Sequence, residues 1–117
     1  MSEIERKYTN ARMSKTVRYG GLVFLCGQTS SGSAIADIDG QTREALSRID
    51  ALLAENGTDR SRLLSVTVHL KSMADFAKMN ACWESWLVDV APPARTTVQA
   101  ALATDDLLVE FTVTAAL

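Results

Sequence analysis

The sequence predicts an α+β domain of two layers, a mixed sheet with two helices on one face. Three observations lead there. Five short stretches rich in β-branched and apolar residues read as strands, two longer ones repeat apolar residues at spacings of three and four, and their order is β-β-α-β-α-β-β. No repeat, linker or low-complexity tract interrupts them. At 117 residues, 47% of them apolar, the chain has the size of one domain and the means to bury a core.

Residues 1–13 are polar and mixed in charge (Glu3, Glu5, Arg6, Lys7, Asn10, Arg12), which predicts a loose N-terminal arm ahead of a single domain at 14–117. Thr16–Tyr19, Gly20-Gly21 and Leu22–Cys26 read as a hairpin, because a Gly-Gly connection supplies the positive φ values a two-residue turn needs. The second strand is apolar at every position, so both its faces are expected to be covered. It ends at Gly27-Gln28, before the Ser/Gly-rich loop Thr29–Ser33. Gly27 there marks either a close approach by a ligand or another chain, or a plain strand terminator.

Asp37 or Asp39 caps the first helix, which runs to Asn56-Gly57 with Ala45, Leu46, Ile49, Leu52 and Leu53 as its apolar stripe. Glu44 and Arg48 form an i,i+4 pair outside it. Leu64–Leu70 alternates, with Leu64, Val66, Val68 and Leu70 on one face and Ser65, Thr67 and His69 on the other. As the only histidine, His69 suits a catalytic role or a solvated or interfacial one. Ser72-Met73-Ala74-Asp75 is close to a capping box. After it Phe76, Met79, Trp83, Trp86, Leu87 and Val90 recur at helical spacing, as a packing stripe or an aromatic cofactor box.

Pro92-Pro93 closes that helix, and Arg95 opens the strand that follows. Its backbone is fixed on both sides, which suits a guanidinium that must meet a planar carboxylate in two hydrogen bonds; the plainer alternative is a surface arginine. In the last strand, Leu107–Thr114, Val109, Phe111 and Val113 share one face, while Glu110 lies on the other with Leu108, Thr112 and Thr114. A carboxylate among such neighbours is costly unless paired. One turn separates it from Arg95, so the two are expected on neighbouring antiparallel strands, as a structural ion pair or part of a site. The sheet face with Ser, Thr, Gln and His beside Val and Leu is semi-polar, a candidate for burial against other subunits.

Composition narrows the function. The net charge is −2 with Lys and Arg scattered, so a nucleic-acid partner is disfavoured. No apolar run reads as a signal peptide or is long enough to span a bilayer, and no membrane partner is expected. Cys26 and Cys82, flanked by apolar or aromatic residues, read as buried thiols in a reducing cytoplasm; with one His and no Cys-x-x-Cys, neither a disulfide nor a metal site is expected.

Gly27-Gln28 after an apolar strand, Gln41-Thr42 at the first helix, Asp75-Phe76 with Met79-Asn80, Pro93-Ala94-Arg95 and Val109-Glu110 occur in that order. From about Ser14 to the C-terminus they resemble the RidA family, also called YjgF, of small reactive-imine deaminases, and most of all its short YoaB-like bacterial paralogues. The resemblance implies a chorismate-mutase-like fold and a homotrimer, with three sheets lining a central barrel and sites in clefts between subunits. It also implies that a 2-imino or enamino acid is hydrolysed to a 2-oxo acid and ammonia, without metal or organic cofactor. Arg95 would bind the substrate carboxylate and Glu110 would place the attacking water. Gly27 would let the substrate approach the backbone, and Thr97 would offer a backbone carbonyl or amide. The chemistry is coherent, since an imine is already electrophilic and needs orientation and an activated water more than a strong nucleophile.

Met13 stands where RidA-type proteins often carry a cleft-lining tyrosine, Thr97 where many carry a cysteine, and Leu102-Ala103 where Leu-Pro is usual. Met13 cannot donate a hydrogen bond, which implies a more apolar or differently shaped pocket. The alternative function for such a fold is a non-enzymatic trimer that uses the same cleft to sense a 2-oxo or amino acid. Endoribonuclease activity, reported for some relatives, finds no basic stripe here.

Overall fold

In the computed structural model, which describes residues 3–117, the strands are β1 (Glu5–Thr9), β2 (Ser14–Tyr19), β3 (Leu22–Gln28), β4 (Leu63–Leu70), β5 (Ala94–Gln99) and β6 (Val109–Ala116). The helices α1 (Ile38–Glu55) and α2 (Phe76–Trp86) precede β4 and β5, and short 3₁₀ turns lie at Arg60–Arg62 and Met73–Asp75. All six strands form one sheet in the order β1-β2-β3-β6-β4-β5. Only β4 and β5 run parallel. This is the predicted α+β architecture with one strand added.

The added strand is β1. Residues 5–9 of the expected arm pair antiparallel with β2, Glu5 opposite Arg18 and Thr9 opposite Ser14, while the first two residues lie outside the described chain. Polarity suggested a loose segment, but an edge strand is exposed along its whole length and has no need of apolar residues. At the next turn Gly20 and Gly21 have φ of 58° and 81°, as a two-residue hairpin requires.

Helix α1 starts at Asp37, whose side chain accepts from the Gly40 N–H at 2.9 Å, and stops before Gly57 in the left-handed region at φ 75°. Its apolar stripe and that of α2 cover one face of the sheet. Val23 and Leu25 of β3, Val66, Val68 and Leu70 of β4, and Val109, Phe111 and Val113 of β6 meet Ala45, Leu46, Ile49, Leu53, Met79 and Trp83 in a single core. The tryptophans serve packing: Trp83 stacks on Phe111 with ring centres 6.0 Å apart, and Trp86 donates its indole N–H to Asp50 at 3.0 Å. Arg60 joins them, reaching Asp50 at 2.6 Å and the Trp86 carbonyl at 2.7 Å, which ties α1 to α2.

Two expectations about the sheet need correction. Within one chain β3 is covered on one face only, and Phe24 on the other is 41% exposed. On β4 the register slips between Leu63 and Ser65, so Leu63 turns into the core and Leu64 is left 45% exposed. The face away from the helices thus carries Phe24, Leu64 and Val98 in the open. Cys26 and Cys82 are free thiols, half-buried and buried respectively. Among the described residues no helix is long and apolar enough to cross a membrane, and no cluster of potential metal ligands forms.

Gln41, 1% exposed, fixes the approach to β6. Its amide donates to the carbonyls of Ile35 and Asp106 at 2.9 Å each, and its oxygen accepts from the Leu108 N–H at 2.8 Å. Gln41→Ala leaves these three backbone groups without their partner, and the expected loss is about 2 kcal/mol by denaturant unfolding. A loss below about 1 kcal/mol would mean that water replaces the amide.

Candidate functional site

Glu110 lies on β6 on the face away from the helices, and its carboxylate covers Gly27 at the end of β3. A β-carbon built on Gly27 would stand 2.8 Å from the Glu110 carboxyl carbon and closer still to one of its oxygens. The strand carries glycine at this point because the carboxylate occupies the space of a side chain. A register shift between Leu25 and Gln28 lets the two strands meet in this way. Across β4, His69 is the residue paired with Glu110. Gly27 lines a cleft of about 670 Å³ with Met13, Lys15, Cys26, Gln28 and Leu52. Burial pushes the Cys26 thiol up from its ordinary pKa and Glu110 adds to this, while Lys15 and the hydrogen bond from Gln28 work against it. Cys26 is therefore protonated at neutral pH and is no thiolate nucleophile.

Arg95 occupies a different surface. It pairs with Val66 of β4, which places its side chain on the helix side of the sheet. There the guanidinium carbon lies 5.3 Å from the Trp83 ring centre and 5.9 Å from that of Phe76. The cleft around it, about 510 Å³, is lined by Asn80, Trp83, Glu84, Leu87, Val88 and Pro92. Burial lowers the Arg95 pKa from its ordinary value, opposed by Glu84, and a guanidinium so placed stays charged. Among the described residues no carboxylate lies within ion-pair distance of it. The Asn80 side-chain oxygen and the Thr97 hydroxyl are buried without a hydrogen-bond partner. The result is a charged planar fork, steadied by two aromatic rings and open toward a cleft.

Arg95 and Glu110 do not come together within one chain, contrary to the expectation from the sequence. β4 intervenes between β5 and β6 in the sheet. Both Arg95 and Val113 lie opposite Val66, so Glu110 is three residues further along its strand and on the opposite face. The single turn inferred between the strands is instead a crossing over β4, a topology that short-range spacing does not reveal.

Comparison with known proteins accords with this architecture. The family described as Endoribonuclease L-PSP matches residues 4–117. A RutC family protein of Haemophilus ducreyi is 38% identical over 106 residues, covering 91% of this chain and 90% of its own length. The RutC family protein YoaB of Escherichia coli K12 is 35% identical over 113 residues, 97% of both chains. The crystal structure of a YjgF family member from Neisseria meningitidis superposes with a TM-score of 0.92 at 35% identity, covering 97% of this chain and 94% of that one. The chain belongs to the YjgF family.

On this YjgF-family fold the residues named from sequence fall into two groups. Met13, Gly27 and Glu110 gather around the end of β3, and Arg95 and Thr97 share the helix side of β5. The structure adds Phe76, Asn80 and Trp83 to the second group. They follow one another along one side of α2 at spacings of four and three, and the sequence reading absorbed Phe76 and Trp83 into a packing stripe. The signal that could have separated them is Asn80, a polar side chain with a buried oxygen on that same side.

Proposed function

We propose that the protein is a cofactor-independent hydrolase of 2-imino or enamino acids, releasing a 2-oxo acid and ammonia at sites shared between subunits of a homotrimer. The observation that carries this reading is the separation of Arg95 and Glu110 onto different surfaces, each held in a working posture and neither complete alone. A carboxylate clamp on one surface and a water-placing carboxylate on another meet when a second copy docks head to tail. Such a heterologous contact, repeated with a three-fold rotation, makes a closed ring of three. The uncovered sheet face with Phe24, Leu64 and Val98 is suited to that contact.

In the assembled site the Arg95 fork would grip the substrate carboxylate and hold the imine carbon in place. Glu110 would accept a proton from water as its oxygen bonds to that carbon, and the C–N bond of the resulting carbinolamine would then break to release ammonia. Met13, 41% exposed beside Gly27, would give the substrate side chain an apolar wall. The RNA cleavage in the matched family's description finds little support, because the net charge is −2 and Lys and Arg do not cluster.

The test is imine hydrolysis by the purified protein, with imines formed in place from several amino acids by an amino acid oxidase and unreacted imine trapped by semicarbazide. Reduced trapping with the native protein but not with Arg95→Ala supports the reading. Unchanged trapping with thermal stabilisation by 2-oxo acids would replace it with a sensing role for the same cleft.

A further inference from the structure

The face of β6, β4 and β5 turned away from the helices is almost free of ionisable groups. By register it presents Glu110, Thr112 and Thr114, then Ser65, Thr67 and His69, then Ala94, Thr96 and Val98. The two ionisable residues among these, Glu110 and His69, are direct cross-strand partners. Residues so paired hold their β-carbons about 5 Å apart on one face. On its other side the Glu110 carboxylate lies over Gly27, in the space a side chain there would take. His69 is half-buried, and its Nδ1 is shielded from solvent without a hydrogen-bond partner. An imidazole with a shielded, unsatisfied nitrogen costs stability. Phe or Val would fit the alternation of β4 without that penalty.

We propose that His69 is the proton donor to the imine nitrogen as water adds, working beside Glu110 from the same subunit. This rests on the deaminase reading above. Hydrolysis of an imine requires a base for the water and an acid for the nitrogen. When water oxygen bonds to the imine carbon, Glu110 takes one water proton and the C=N electron pair moves to nitrogen, which takes a proton from the imidazolium of His69. When the C–N bond breaks, its electron pair leaves with nitrogen, which takes the proton held by Glu110 and departs as ammonia. The hydroxyl oxygen forms the C=O bond and its proton returns to His69, so both side chains end as they began. An imidazole suits this part because its ring nitrogens can both hold and hand over a proton. Around Gly27 stand Cys26 on β3, held as the thiol, Lys15 on β2, close enough to Cys26 to act on it electrostatically, and the Arg48 guanidinium from α1. A thiol held protonated by burial is no ready proton donor.

The experiment compares native protein with His69→Gln and His69→Phe in the imine assay from pH 5.5 to 9, spontaneous hydrolysis subtracted. An acid that must be protonated makes kcat fall as pH rises. The native profile is expected to show that fall. Both variants are expected to lose it, with kcat lower by about 100-fold and KM little changed. The single imidazole resonance of the native protein is expected to move on titration with pyruvate, a 2-oxo acid product. That readout needs no variant to fold. Variants with native kcat and the native pH profile, or an imidazole indifferent to pyruvate in a protein that does turn over imines, overturn the role of His69. A native protein without turnover overturns the deaminase reading itself, and the proton-donor role with it.

Discussion

Arg95→Ala is expected to reduce imine turnover by about 10³-fold, the loss of two charge-assisted hydrogen bonds to the substrate carboxylate. The same change is expected to leave the fold intact. Arg95 contacts the Phe76 and Trp83 rings and takes part in no ion pair among the described residues, so its removal costs about 1 kcal/mol or less of stability. Arg95→Lys separates charge from geometry. An ammonium keeps the positive charge but cannot present two parallel N–H donors to a planar carboxylate, so recovery should be partial. Trapping assays on the three proteins, with melting curves to verify folding, decide the matter. Native turnover in the alanine variant would remove Arg95 from the site.

The second large effect is expected at Gly27, where the argument concerns space alone. Its backbone is outside the left-handed region, so any residue could adopt it without strain. What excludes a side chain is the Glu110 carboxylate, whose carboxyl carbon would lie 2.8 Å from an added β-carbon. That carboxylate ends a flexible side chain and can swing aside, so Gly27→Ala should fold with nearly native stability. It should nevertheless lose about 100-fold in turnover, because Glu110 leaves the position from which it addresses the water. Stability kept and activity lost is the signature. Native activity would mean that Glu110 does not act from its place above Gly27.

Much of this molecule is written locally in the chain. The Gly20-Gly21 turn, the Asp37 cap, the α1 stripe and the alternation of β6 each follow from residues within a few positions of one another, and each is where the sequence indicates. The resemblance pointed to Gly27 and Glu110 together, and the structure sets the Glu110 carboxylate over Gly27. What local pattern did not disclose depends on partners far along the chain. β1 became a strand because β2 offered it an open edge, although nothing in its composition asked for one. Leu64 and Leu63 exchanged faces through a register slip dictated by β6. The separation of Arg95 from Glu110 follows from β4 standing between their strands, and no periodicity within either strand encodes that. His69 stood in the sequence as a lone histidine with several readings. Only the register sets it opposite Glu110, which no local pattern discloses.

The composite site is tested most directly by mixing two inactive subunits. Arg95→Ala and Glu110→Gln chains are each expected to be inactive alone. Co-expressed or refolded together in equal amounts, they form assemblies in which some clefts receive Arg95 from one chain and Glu110 from its neighbour. In a cyclic ring that assorts at random, activity should return to about a quarter of the native rate. No recovery from mixed assemblies that demonstrably form would contradict a site shared between subunits.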